Sequence, residues 1–178
     1  PVIVAAGRLC EQKRFDLLIS ALSVVRQSVP ARLIILGEGD LRQELTELVA
    51  SLGLSDAVDM PGFVPEPLPY LRASDLFVLS SDYEGVPGVL VEAVACGTPA
   101  VATDCLGGGA REVFGAVGAG ILCPRGDPVA LSQCILSGLF QRRSSVEPAA
   151  ARARAIFGVA AATRRYEELL VEVARGVH

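Results

Sequence analysis

Histidine is nearly absent from this 178-residue chain: the only one is His178, the last residue. A Ser-His-Asp triad, a Cys-His dyad and a histidine metal site within the domain are thereby excluded. Lysine is equally scarce, with Lys13 alone among 16 basic residues. The five cysteines (Cys10, Cys96, Cys105, Cys123, Cys134) are odd in number, scattered and without a CxxC pair. That usage fits reduced thiols in a cytoplasm better than a disulfide framework or a zinc site. No lysine- or arginine-rich run exists and the net charge is -4, so the basic stripe of a nucleic-acid groove is lacking. No apolar stretch reaches the roughly 18 residues of a membrane span. No signal-peptide pattern is found, and Pro1 leads straight into an apolar run of strand length. Such a start is expected of a piece cut from a longer protein.

Apolar residues, by contrast, are abundant: 51% of the chain, against 20% charged, with mean hydropathy +0.46. Residues 1–178 fit one domain and can bury a large core. Content this apolar asks for a sheet covered on both faces, or for surface that belongs against something else.

Strand-length apolar runs alternate with helix-period segments along the whole chain. Strands are expected at Val2–Ala6, 33–36, 58–60, Leu76–Leu79, 100–102 and Ile121–Cys123. Helices are expected over 13–28, from an Asp40 N-cap to Leu52, over 67–72, 89–96 and 128–140, and from about 147 to 175. Pro128 takes a favoured first-turn position. Ser144 and Ser145 mark at most a hinge, and the glycines at 107–109 shape a turn. This order predicts an α/β domain: a doubly wound parallel sheet with helices on both faces. Sheets of that kind bind ligands beyond the carboxyl ends of their strands, so the loops after the strands are the place to look.

Two loops carry chemistry. After the first strand, Arg8 and Lys13 flank a turn close to a helix start, where backbone amides and the helix dipole add to the attraction for a diphosphate. Lys13 as the sole lysine suggests that a compact point charge is wanted there. Arg8 and Lys13 are otherwise two surface cations. After the fourth strand, Gly85, Pro87 and Gly88 keep Glu84 in a loop, and Glu92 is expected in the first turn of the following helix. Two carboxylates and several free amides around one cleft suit sugar hydroxyls and phosphate. A solvated loop acid for Glu84 and a helix-dipole pairing for Glu92 are the plain alternatives. The arginines at 152, 154, 164 and 165 read as a solvated helix face, and Asp82 and Asp104 as loop or cap residues.

Glu84 and Glu92, within EGVPGVLVEAVACGTPAVATD, resemble the signature of GT-B glycosyltransferases of the GT4 (group 1) type. The Gly7-Arg8-Leu9 loop ending in Lys13, the Gly37-Glu38-Gly39 turn, Gly62-Phe63-Val64 and the Gly120–Asp127 tail match the same family in order. The resemblance covers the whole chain as that family's Rossmann-like C-terminal, donor-binding domain.

The resemblance implies a retaining, metal-independent glycosyltransferase whose donor is a nucleoside diphosphate sugar, uracil first and guanine second. Arg8 and Lys13 would hold the diphosphate and neutralise the charge that develops as it leaves. Glu84 would accept hydrogen bonds from the transferred sugar and Glu92 from the ribose. The amides of Gly88 and Val89 would meet the phosphates, Phe63 and Val64 would face the nucleobase, and Gly7, Gly85 and Val86 would complete the site. No cofactor and no metal are implied. Arg14 stands where the family usually has glycine, which alters the loop or adds a phosphate contact. Pro87 has no N–H to offer.

The acceptor would be bound by an N-terminal domain, onto which the last helices, with Ile156, Phe157, Val159, Tyr166, Leu169 and Leu170, would pack. This domain alone is then expected to bind donor but transfer little. A cytoplasmic setting in bacterial polysaccharide assembly, with possible peripheral membrane association of the full enzyme, follows from the family. Two other readings are weighed: a nucleotide-sugar 2-epimerase of the same fold, which would want histidine, and a flavodoxin-like regulatory module, which would want acids after its first strand.

Overall fold

The apolar runs become six parallel strands because the central ones are buried on both faces, where only a fully hydrogen-bonded backbone is tolerated. In the computed structural model, which describes residues 1–176, they are β1 (Val2–Ala6), β2 (Arg32–Leu36), β3 (Val58–Gly62), β4 (Leu76–Leu79), β5 (Ala100–Thr103) and β6 (Ile121–Cys123). His178 lies outside the described residues. The sheet order is β3-β2-β1-β4-β5-β6. Eight helices connect and flank the strands: α1 (Phe15–Val25), α2 (Arg42–Ser51), α3 (Leu68–Ala73), α4 (Gly88–Ala95), α5 (Gly109–Val117), α6 (Pro128–Leu139), α7 (Arg143–Phe157) and α8 (Val159–Gly176).

The period-two geometry of the strands divides the core into two layers. Ile3, Ala5, Leu33, Ile35, Leu76 and Val78 face α1, α2 and α6, where Leu18, Ile19, Leu22 and Leu131 fill the space. Val4, Leu36, Phe77, Leu79 and Ala102 face the other way, onto α3, α4, α5 and α7 through Leu71, Leu90, Val113 and Ala149. The architecture is thus the doubly wound one expected from the sequence.

Several boundaries differ, each for a local reason. The helix expected over 13–28 is split: Glu11–Lys13 form a 3-10 turn, Arg14 adopts a left-handed conformation, and α1 begins only at Phe15. Asp40 does not cap α2. Leu41 donates its N–H to Leu9 O at 3.1 Å, which holds the turn open so that the helix starts at Arg42. Asp40 pairs with Arg8 instead, at 3.2 Å. Ser144 and Ser145 lie in the first turn of α7 rather than in a hinge, and the long terminal helix breaks at Gly158 into α7 and α8. Arg152 and Arg154 are not a free solvated face, since they donate to the carbonyls of Val117 and Ala95 at 2.6 Å each. α8 buries no residue, and Val159, Tyr166, Leu169, Leu170, Val171 and Val173 are all exposed.

The start of α6 is fixed more firmly. Asp127 is its N-cap, accepting from Val129 N at 2.8 Å and Ala130 N at 3.0 Å, with Pro128 just inside the helix. Because α6 packs along α1, losing this cap reaches the core. Asp127→Ala is expected to lower unfolding stability by about 1 kcal/mol. Urea melts followed by circular dichroism would show this as a lower midpoint at unchanged slope.

Candidate functional site

The strand order reverses between β1 and β4: the chain leaves β1 toward β2 and leaves β4 toward β5. The loops after these neighbouring strands therefore diverge and open a crevice at the carboxyl edge of the sheet. A cleft of about 680 Å³ lies there. It falls within the roughly 300–1,000 Å³ usual for small-molecule sites. Gly7, Arg8 and Lys13 line it from the loop after β1, and Phe63 and Val64 from the segment after β3. Glu84, Val86, Gly88, Val89 and Glu92 line it from the β4–α4 segment. Gly85 does not face the cleft; its carbonyl is turned toward Gly109. Glu38 and Pro67, absent from the sequence-derived set, do line it. The Gly37-Glu38-Gly39 turn was the available signal for Glu38.

The two charged loops meet in one ion pair. Lys13 Nζ lies 2.5 Å from Glu84 Oε1, and the two side chains retain only 17% and 10% of their exposure. Ser81, wholly buried, donates its hydroxyl to the same Glu84 oxygen at 2.7 Å. The backbones are clamped alongside: Ser80 Oγ donates to Lys13 O at 2.7 Å, Asp82 N to Gln12 O at 2.8 Å, and Gln12 Nε2 to Tyr83 O at 2.8 Å. Sequence reasoning missed Ser81 and Gln12. A serine at the end of an all-apolar strand was the one hint.

Arg14, expected to alter the loop or add a phosphate contact, is paired with two carboxylates in the structure. Its φ of 49° and ψ of 44° are left-handed, which costs a side-chain-bearing residue roughly 1–2 kcal/mol. Its guanidinium forks onto Asp16, with Nε–Oδ1 and Nη2–Oδ2 both 3.0 Å, and places Nη1 3.2 Å from Asp82 Oδ2. The hydrogen bonds to Asp16, then those to Asp82, push its already high pKa further up. It lines a second cleft, of about 590 Å³, on the far side of the 3-10 turn.

Glu92 is the fifth residue of α4, one residue deeper than expected, because the helix starts at Gly88. It is exposed and still lines the cleft. The start of α4 has no side-chain cap: Pro87 stands at the cap position. The first amides of a helix have no acceptor within it, so those of Gly88 and Val89 are left for a ligand or water. Phe63 is 75% exposed, an uncovered ring at the opposite end of the cleft. Beside it Arg42 bonds to Glu38 and holds that carboxyl below its ordinary pKa.

Close backbone approach explains two glycines. A Cβ on Gly37 would sit 1.9 Å from Gly7 O, so glycine lets the loops after β1 and β2 touch. A Cβ on Gly109 would sit 1.3 Å from Gly85 O. The glycines at 107–109 thus do more than turn the chain, since they let α5 press against the Glu84 loop.

The family model described as Glycosyl transferases group 1 matches residues 1–139, and the chain belongs to that family. It is 40% identical over 124 residues to an uncharacterized glycosyltransferase of Methanocaldococcus jannaschii, covering 69% of this chain and 28% of that protein. It is 35% identical over 162 residues to the amylovoran biosynthesis glycosyltransferase of Erwinia amylovora, covering 86% and 39%. The Anabaena protein HepE, solved in complex with UDP, superposes with a TM-score of 0.85 at 28% identity, over 96% of this chain and 48% of that one. The chain spans less than half the length of each of these proteins. Its fold is that of a Rossmann-like GT-B domain. No helix among the described residues is long and apolar enough to cross a membrane.

The same substitution is expected to act with opposite sign at two glycines of α5. Gly109→Ala must displace the Gly85 carbonyl and should destabilise by about 1–3 kcal/mol. Gly115→Ala meets nothing within 4 Å in mid-helix, and should stabilise by about 0.5–1 kcal/mol. Paired denaturant melts decide it; equal shifts in one direction would contradict the packing described.

Proposed function

We propose that this chain is the donor-binding domain of a two-domain glycosyltransferase, and that its cleft holds a nucleoside diphosphate sugar. UDP is the favoured nucleotide and GDP the second. The sugar passes to a glycan, lipid or small-molecule acceptor with retention of anomeric configuration. The observation that carries the reading is the convergence of Lys13, Glu84, Arg8 and Glu92 on one cleft at the reversal of the sheet.

Each group then has a task. Lys13 and Arg8 bind the diphosphate and offset the charge that develops on it as the glycosidic bond breaks, so no divalent metal enters the scheme. The amides of Gly88 and Val89 add fixed dipoles at the phosphates. Glu84, oriented by Ser81 and Lys13, accepts hydrogen bonds from hydroxyls of the transferred sugar. Glu92 takes the ribose hydroxyls, and the base lies by Phe63 and Val64. The Anabaena neighbour in complex with UDP, also solved with UDP-glucose, supports the choice of uracil. The Erwinia relative, by its name, supports a place in polysaccharide biosynthesis. The exposed apolar face of α8 suits contact with the acceptor-side domain.

Calorimetric titration of the chain with UDP, GDP and ADP tests the donor reading. UDP is expected to bind tightest. Lys13→Ala should weaken it roughly 10- to 100-fold, the worth of a charge-assisted hydrogen bond, and Glu92→Ala about tenfold. Indifference of all three nucleotides to both substitutions would sink the assignment.

A further inference from the structure

We infer that Arg14 is a positioning residue for Glu84, acting through Asp82, and that it does not touch the donor. The inference rests on the reading that Glu84 contacts the transferred sugar. The strained residue in this loop also reaches across to the other with its side chain. Arg14 takes a positive φ of 49°, a conformation that side-chain-bearing residues keep only where their surroundings hold them. What holds it is the carboxylate of Asp16, which fixes two corners of the guanidinium and thereby aims the third, Nη1, at Asp82. A planar fork with a fixed spread is suited to joining two carboxylates in this way.

Asp82 sits two residues before Glu84 in the same loop. Three consecutive residues, Gln12, Lys13 and Arg14, are all tied to this loop. At Gln12 and Lys13 a main-chain carbonyl accepts one of the bonds, so any side chain there would leave that bond in place. Of these three, only Arg14 holds the loop by its side chain alone, with 29% and 30% of side-chain exposure left to Arg14 and Asp82. Arg14 also faces the second cleft, with Asp16, Asp82 and Tyr83, so that it acts on Glu84 from behind.

The test compares the unaltered chain with Arg14→Gly, Asp82→Asn and the double variant, using UDP and UDP-glucose as probes. Glycine suits the positive φ, so Arg14→Gly is expected to keep or raise the melting temperature. UDP affinity should stay within about twofold while UDP-glucose affinity falls about fivefold, because only the sugar uses Glu84. Asp82→Asn should give the same selective loss, and the double variant no more than either alone. A second readout needs no ligand. Lys13 is the only lysine, so 15N-lysine labelling yields one side-chain ammonium signal. Shielded from water by Glu84, it should be visible in the unaltered chain and broaden in both single variants. An unchanged ammonium signal and an unchanged UDP-glucose to UDP ratio in Arg14→Gly would overturn the inference. So would an equal loss of UDP, which would make Arg14 a phosphate ligand. If the unaltered chain binds neither nucleotide, the donor reading fails, while the ammonium signal still decides whether Arg14 positions Glu84.

Discussion

β1 and β4 are hydrogen-bonded neighbours that run the same way, with Ile3 opposite Leu76 and Val4 opposite Phe77. Neighbouring strands lie about 4.8 Å apart. Two loops leaving the same edge of such a pair therefore start almost in contact, whatever the distance between them along the chain. Lys13 and Glu84 are 71 residues apart in sequence and meet for this reason. The strands cannot shift to relieve a poor fit, because Ile3, Leu76 and Phe77 are wholly buried between two helical layers. Packing remote from the cleft thus sets how closely its charges approach.

Those charges are arranged so that the unliganded cleft is stable without being closed. A half-buried lysine or glutamate left alone would be strongly unfavourable. Lys13 and Glu84 satisfy one another, and Ser81 adds a donor to the carboxylate. Arg8 has the opposite character. It pairs with Asp40 where both side chains are largely exposed, a contact worth about 0–1 kcal/mol. One cation is held in place before anything binds; the other can swing to an anion at little cost. On the donor reading this divides the work between a fixed anchor and a mobile arm.

Much of this was legible in the sequence because it is written in local patterns. Leu76–Leu79 is apolar at every position, which only a strand buried on both faces requires, and the helix spacing of Leu17, Leu18, Ala21, Leu22 and Val25 marks the covered face of α1. The cleft residues Arg8, Lys13, Glu84 and Glu92 were found because glycine and proline mark the loops that hold them. What the sequence concealed depends on distant partners. Asp40 has the chemistry of an N-cap, yet Leu41 is held by Leu9 and Asp40 by Arg8. Arg14 looks like part of a helix, yet it takes a left-handed conformation and its Nη1 meets Asp82, 68 residues away. Gly109 looks like a turn residue until the Gly85 carbonyl is seen against it.

The high apolar content posed a choice at the outset between a sheet covered on both faces and surface intended for another partner. The covered sheet is present, and exposed apolar surface remains on α8. From β1 through α7 most of the apolar residues enter the two core layers, with Val146, Ala149, Ala150 and Ala153 buried on α7. α8 then adds 18 residues with none buried and a row of exposed valines and leucines around Tyr166. The stability of a protein helix comes mainly from burial of an apolar face. Within this domain α8 lacks that burial. On the two-domain reading that face is covered by the acceptor-side domain.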